Sequence, residues 1–298
     1  MASSEEPARL TGTVSFDLGG GREGAPWRIT LYVPPGQAPA AGWPVLYLLD
    51  GNAVTGTAID IERVQAPYPE GTGISSRFVI VGIGYPTNEA YDGDRRSWDY
   101  TPPPGRSYPP FKAGGPVVRT GGGAEFLRFV LDELKPEIER RFPIDRSRQA
   151  LFGHSFGGLF VIYALANATT AFTHWIAVSP SIYWEDLAIL RSIEDLEKKS
   201  VAGARVLLLA GSYERELAPF QRDAPDHEAR LKRLELSRTV EYTCEMTGRL
   251  KKIPGINVIS GIVPGRTHMN ILPEALNAAI SFSMGHISSI PDMKKCGI

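Results

Sequence analysis

Residues 149–162 read Gln-Ala-Leu-Phe-Gly-His-Ser-Phe-Gly-Gly-Leu-Phe-Val-Ile. Gly153 and Gly157 bracket Ser155 in a G-x-S-x-G pattern; an apolar strand candidate, 150–152, runs into it and an apolar helix candidate, 159–168, runs out. A serine on so sharp a strand-to-helix turn sits in a strained backbone conformation with its hydroxyl held above the sheet. The flanking glycines leave room for close approach of backbone and substrate. The helix N-terminus behind the serine adds backbone N–H groups that stabilise a developing oxyanion. The bare five-residue pattern recurs by chance, but the strand–turn–helix setting makes it specific. It points to a nucleophilic serine.

The chain on either side alternates short apolar runs with amphipathic segments. Residues 11–17 and 27–33 read as two antiparallel strands joined through Gly19-Gly20-Gly21. Continuous apolar runs at 45–49, 78–83, 175–178, 206–210 and 257–263 read as strands buried on both faces. Helices are predicted over 125–141, where Phe126, Phe129, Val130, Leu134 and Ile138 share a face, and over 186–198, 226–246 and 273–284. Strands alternating with helices imply an α/β class, with a mainly parallel sheet covered on both faces. With no internal repeat or linker in its 298 residues, the chain reads as a single domain, 1–298. Residues 86–123 are rich in Pro and Gly yet carry Tyr91, Trp98, Tyr100, Tyr108 and Phe111. A long irregular segment with that aromatic content is read as an ordered wall of the active site.

Apolar content of 43% and charged content of 22% are those of a globular protein with a sizeable core. A net charge of −1 lacks the basic footprint that general nucleic-acid binding requires. No apolar run has transmembrane length, and residues 1–9 are polar and acidic, without the apolar stretch of a secretory signal. Cys244 and Cys296 are far apart, and two free thiols in an intracellular enzyme are the expectation. That expectation places the chain in the cytoplasm.

Serine is a poor nucleophile until a base takes its proton, and a third group orients that base. With a G-x-S-x-G elbow the order along the chain is serine, acid, histidine. His154 adjoins the serine and points away from it; His174 starts a strand, His227 borders a charged helix and His286 follows the last helix. His268 alone lies in a short polar loop after the final strand, at the sheet edge where ligands bind, and is read as the general base. The acid should follow the preceding strand, in Gly211-Ser212-Tyr213-Glu214-Arg215-Glu216. Glu214 is the first choice, Glu216 and Asp186 the alternatives, although Arg215 is placed to pair with Glu214 at the surface. For the oxyanion hole, one donor is the amide of Phe156. The other comes from Leu48-Leu49-Asp50-Gly51-Asn52, through Asn52 or Gly51. No Cys/His cluster has metal spacing, and Gly121-Gly122-Gly123 lacks the Lys-Ser/Thr of a phosphate loop, so no cofactor is expected.

Taken together, these pieces resemble the esterase-D-like branch of the α/β-hydrolases, and within it the siderophore esterases. The matching stretches are Leu46-Tyr47-Leu48-Leu49-Asp50-Gly51-Asn52-Ala53, Arg95-Arg96-Ser97-Trp98-Asp99-Tyr100-Thr101-Pro102, and Gly153-His154-Ser155-Phe156-Gly157-Gly158-Leu159-Phe160. Ser179-Pro180-Ser181-Ile182-Tyr183-Trp184 and Gly211-Ser212-Tyr213-Glu214 match as well, so the likeness runs from about residue 46 to residue 268. It implies hydrolysis of ester bonds in a large cyclic iron chelator, either an enterobactin-type trilactone or a fusarinine-type hydroxamate. A small-acyl carboxylesterase or an S-formylglutathione hydrolase-like thioesterase is the alternative.

The resemblance also implies that Arg96 lies beside the substrate; an internal Arg96–Asp99 ion pair is the competing reading. Trp98, Tyr183 and Trp184 offer flat apolar surface to a chelate or belong to the core. Some members of this branch work with a Ser-His pair and no firm acid, which bears on Glu214. The missing export signal favours hydrolysis after import, and a nearly neutral chain leans towards the hydroxamate type. Between residues 180 and 205 there is room for one helix rather than a large cap, so an open cleft is expected.

Overall fold

The short apolar runs pair into one sheet. A computed structural model of the protein describes residues 9–111, 113–285 and Cys296. Its strands are Thr13–Leu18 (β1), Trp27–Tyr32 (β2), Trp43–Leu49 (β3), Val79–Gly84 (β4), Ile144–His154 (β5), His174–Val178 (β6), Ala204–Gly211 (β7) and Ile256–Val263 (β8). In space they run β1-β2-β4-β3-β5-β6-β7-β8; β2 is antiparallel to both of its neighbours and the other pairings are parallel.

Successive side chains of a strand point to opposite faces, so a run that is apolar throughout supplies two cores at once. On β3, Val45, Tyr47 and Leu49 enter one core while Leu46 and Leu48 enter the other. The same alternation divides Val206 and Leu208 from Leu207 and Leu209 on β7. Each such aliphatic side chain, fully buried, contributes about 1.5–3 kcal/mol.

The helices that cover the sheet follow from the same patterning. Gly51–Gln65 (α1) and Leu272–Met284 (α8) cover one face, contributing Val54, Ala58 and Ile59, and Leu276 and Ile280. Phe156–Asn167 (α4) lies on the other face and is apolar all round, as a helix wedged between sheet and neighbours must be. Beside it run the helical stretch 123–141 (α3) and Ile189–Leu196 (α5). His227–Ser237 (α6) and Thr239–Leu250 (α7) fill the connection from β7 to β8.

Several expectations need correction. The helix read as continuous over 125–141 carries a π-turn at Val130–Leu134, which ends two residues before Pro136. A proline cannot donate to the helical ladder and crowds the preceding turn, so the backbone widens there. The helix read over 226–246 is two helices, broken at Arg238 with φ 40°. Asp186, read as the start of a helix, sits in a left-handed turn with Glu185 and Leu187, and the helix begins only at Ile189. The irregular segment 86–123 holds a helix, Gly93–Asp99 (α2), capped by Asp92 accepting from the Arg95 amide, and a small antiparallel ribbon, Ser107–Tyr108 with Val118–Arg119.

The cysteines are also corrected: Cys244 of α7 is disulfide-bonded to Cys296, against an apolar cluster of Ala210, Val240 and Ile262. The two free thiols expected are absent, since the fold brings the two Cα atoms within 5.3 Å of each other. Disulfides belong to oxidising compartments, so the thiol argument for the cytoplasm no longer holds. Among the described residues no helix is long and apolar enough to cross a membrane. The segment 1–8 and His286 lie outside the described residues.

Candidate active site

Four strands end at one edge of the sheet, and the turns that follow them converge. After β5 the chain reverses at Ser155, held at φ 59°, ψ −117° as the residue before α4. An L-residue adopts such a conformation only when its surroundings enforce it. Here the Ser155 amide donates to the Val178 carbonyl at 3.0 Å, and the Ser155 carbonyl accepts from the amides of Leu159 and Ser181. Gly153 makes the turn possible, because a Cβ there would lie 2.2 Å from the Gly157 carbonyl oxygen.

After β7 and β8 the loops are tied to each other. The Tyr213 amide donates to the Arg266 carbonyl at 2.9 Å, and the Gly265 amide to Ser212 Oγ at 2.9 Å. A Cβ on Gly211 would meet the Arg266 carbonyl oxygen at 2.3 Å, so only glycine lets the two loops approach. This approach sets Glu214 under His268. His268 Nε2 lies 3.0 Å from Ser155 Oγ, and His268 Nδ1 lies 2.6 Å from Glu214 Oε2.

Glu214 is buried while the His268 side chain is 40% exposed, so the carboxylate is sheltered and the imidazole faces the cleft. The other carboxylate oxygen, Oε1, accepts from the Gly211 amide at 2.8 Å and from the Ser179 hydroxyl. A carboxylate fixed on both oxygens holds the proton of His268 on Nδ1, which leaves Nε2 unprotonated towards Ser155. The arrangement can therefore take the serine proton and return it to a leaving group.

The alternative acids lie elsewhere. Glu216 is exposed, and Asp186 is exposed and paired with Arg106 at 3.0 Å. Arg215, the residue expected to compete for Glu214, pairs instead with Glu241 at 2.7 Å. His154 plays a part the sequence did not suggest. It is wholly buried, and its Nε2 donates to the His268 carbonyl at 2.7 Å, with the two rings 4.6 Å apart. Burial and then the neighbouring His268 hold its pKa well below that of a free imidazole. It is a neutral strut under the histidine loop. Neither His154 nor Ser179 carried a signal beyond its place in a matched motif.

On the oxyanion side, Phe156 opens α4 and Gly51 opens α1, and the first amides of a helix have no intrahelical acceptor. The two turns abut, since a Cβ on Gly157 would lie 3.4 Å from Leu49 Cβ and 3.5 Å from Asp50 Oδ2. The Asn52 side chain is engaged elsewhere: Nδ2 donates to the Tyr85 and Thr87 carbonyls, and Oδ1 accepts from the Tyr85 amide. What Asn52 or Gly51 has to offer an oxyanion is a backbone amide.

The structure replaces the Arg96–Asp99 pair with another. Its Nε and Nη2 each lie 2.9 Å from an oxygen of Asp50, a two-pronged pair. Asp50 is left-handed, with φ 54° and ψ 45°, and its amide donates to the Tyr100 hydroxyl at 3.1 Å. The Arg96 guanidinium lies over the rings of Tyr91, Tyr100 and Phe156. Asp99 makes no pair with it and accepts instead from Trp27 Nε1 at 2.7 Å and the Tyr85 hydroxyl at 3.0 Å; burial pushes its carboxyl up to about 7. Arg96 thus pins the turn that carries the candidate second oxyanion amide.

Arg96→Met leaves Asp50 buried without its partner, and is expected to lower stability by about 3–5 kcal/mol in urea denaturation. In the folded fraction kcat should fall while KM stays near wild type. A rise in KM at unchanged kcat would instead make Arg96 a substrate contact.

Trp98 is not brought to the serine: its ring packs on Gly122 and under the Arg22 guanidinium. Trp184 is, with its ring edge-on to Phe156 at 4.6 Å and tilted against Tyr108 at 5.1 Å. Tyr108 of the ribbon and Thr120, just beyond it, donate to Glu185, the neighbour of Trp184. Beyond His268 a cleft of about 280 Å³ opens, bounded by Tyr183, Tyr213, Leu217 and Met269 and by Arg230 and Arg233 of α6. Residues 86–123 were read as the wall of the active site; the lining of this cleft comes instead from α6 and the turns after β6, β7 and β8. Among the described residues no group of three or more His, Cys, Asp or Glu side chains is arranged to hold a metal ion.

Comparison with known proteins agrees with this architecture. Residues 22–216 match the family model described as "Putative esterase". The chain is 36% identical to the ferri-bacillibactin esterase of Bacillus subtilis (strain 168), over 92% of this chain and 90% of that one. It is 35% identical to the siderophore triacetylfusarinine C esterase of Aspergillus fumigatus, over 77% of this chain and 78% of that one. The crystal structure of the BES protein from Bacillus cereus superposes with a TM-score of 0.80 at 30% identity, covering 96% of this chain and 100% of that one. With an α/β-hydrolase sheet and these relatives, the chain is a carboxylic ester hydrolase and belongs to the esterase family.

Proposed function

We propose that this enzyme hydrolyses the ester bonds of ferric siderophores, so that the opened chelator gives up its iron. The observation that carries the chemistry is the Ser155–His268–Glu214 relay, at 3.0 and 2.6 Å. The substrate class rests on the relatives, whose names assign them to bacillibactin, triacetylfusarinine C and, at 30% identity, enterobactin. The cleft suits it, since the connection from β6 to β7 holds one short turn and α5 and no cap.

On this reading Ser155 Oγ attacks the ester carbonyl as His268 Nε2 takes its proton. The Phe156 amide and that of Gly51 or Asn52 receive the developing oxyanion. His268 then protonates the departing alkoxide, leaving an acyl-serine. Water, deprotonated by His268, attacks the acyl group and releases a carboxylic acid, which regenerates Ser155. The chelate would be opened after import, in the cytoplasm; the Cys244–Cys296 disulfide is the observation that weighs against that compartment.

Incubation with a panel of ferric catecholate and hydroxamate esters, followed by mass spectrometry, tests the reading. The expected products are linear acids heavier by one water per bond cleaved. Turnover of short p-nitrophenyl esters with every chelate left intact would replace it with a small-acyl carboxylesterase or S-formylglutathione hydrolase-like thioesterase.

A further inference from the structure

The cleft beside His268 has a charged side that the ester chemistry does not use. Helix α6 presents Arg230 and Arg233, three residues apart and therefore on one face, to that cleft. Arg230 is occupied: its Nε lies 2.8 Å from Asp226 Oδ1. Arg233 is exposed and, among the described residues, has no carboxylate within ion-pairing distance. Glu214, the acid that also borders the cleft, is buried and committed to His268, Ser179 and Gly211. The free charge of the cleft is thus a cation.

Arg233 lines the same cleft as Tyr183 and His268. Ser155 Oγ lies 3.4 Å from the Oγ of Ser181, two residues before Tyr183, which lines the cleft together with Arg233. A group held on Arg233 therefore shares the cleft with His268 and Tyr183, among the apolar side chains of Leu217 and Met269.

We propose that Arg233 is a specificity-determining residue that selects chelates by charge, pairing with the negative oxygens of a ferric tris-catecholate. The proposal rests on the siderophore reading and narrows it. Three dianionic catecholates leave ferric iron with three excess negative charges, whereas three monoanionic hydroxamates leave none. A guanidinium donates two parallel hydrogen bonds to adjacent anionic oxygens, which is the geometry of a catecholate edge. The near-neutral charge of the whole chain, which leaned towards a hydroxamate, averages out this local excess.

The test compares kcat/KM for a ferric tris-catecholate trilactone and for ferric triacetylfusarinine C in the wild-type enzyme, Arg233→Gln and Arg233→Lys. The ratio of the two efficiencies is the readout, because partial unfolding cancels in it. The expected result is a fall in the catecholate-to-hydroxamate ratio of roughly tenfold or more in Arg233→Gln, carried by KM, with partial recovery in Arg233→Lys. Raising the salt concentration should lower the wild-type ratio and leave that of Arg233→Gln unmoved. An unchanged ratio in Arg233→Gln, with either chelate cleaved, overturns the role of Arg233 and leaves the siderophore reading standing. A wild-type enzyme that cleaves neither chelate while cleaving p-nitrophenyl acetate overturns both.

Discussion

Ser155→Ala is expected to lower kcat on any ester substrate by roughly 10⁴- to 10⁶-fold, with KM little changed. Ser155 Oγ is the atom 3.0 Å from His268 Nε2, at the mouth of α4 and beside the Phe156 amide, so removing it removes the nucleophile and nothing that holds the site together. The substrate still meets the same walls, which is why binding should survive. His268→Ala should cost a similar factor, because a serine hydroxyl without a base is scarcely ionised at neutral pH.

The double variant should be no slower than either single one. Two groups that act as one unit leave nothing for the second deletion to remove. What remains, about 10³- to 10⁴-fold over water, is the work of the oxyanion amides and of substrate positioning. Steady-state kinetics on p-nitrophenyl butyrate, with active-site titration by a fluorophosphonate, measures all three variants. Retention of more than a tenth of the wild-type kcat in Ser155→Ala would move the nucleophile elsewhere. Losses that multiply in the double variant would show that the two residues act separately.

How far the sequence alone reached depends on the physical origin of each feature. The strands were legible because a run such as Val45 to Leu49 is apolar at both parities, and only a strand between two cores uses that. Ser155 and His268 were legible as candidates, and fall 3.0 Å apart, because both follow strand ends at the edge of a parallel sheet, where ligands bind. Helix α1 was not legible: with Gly51, Asn52, Thr55, Gly56 and Thr57 its first turns are poor in helix formers. It forms because Val54, Ala58 and Ile59 are buried against β4 and α8, a tertiary gain that local propensity does not contain.

Arg238, where α6 gives way to α7, is neither Gly nor Pro, so nothing local marked the break. The partners of Arg96 and Asp99 were equally hidden. Three residues apart on a helix, they looked like a pair, but Asp99 points inwards to Trp27 and Tyr85 while Arg96 reaches back 46 residues to Asp50. Sequence spacing reports neighbours along an element and is silent on contacts across the fold.

Glu214→Gln should be the most instructive substitution, because the loss it causes depends on a single proton. Oε1 of Glu214 faces two donors, one of which, the Gly211 amide, cannot become an acceptor. A glutamine in this pocket must therefore place its carbonyl oxygen at that position, and its NH2 at the position now held by Oε2, 2.6 Å from His268 Nδ1. Nδ1 must then accept, which moves the imidazole proton to Nε2, and an Nε2–H cannot take the proton of Ser155. The geometry is kept and the base is switched off. A loss of roughly 10³- to 10⁴-fold in kcat is expected, below that of Ser155→Ala or His268→Ala, with little change in KM. Glu214→Ala dictates no tautomer, so it should retain more activity than Glu214→Gln despite leaving a cavity. The pair of variants separates an orienting carboxylate from a merely structural one. Glutamine at wild-type rate would show a working Ser155–His268 pair that needs no acid, and alanine worse than glutamine would make packing, not the proton, the contribution of Glu214.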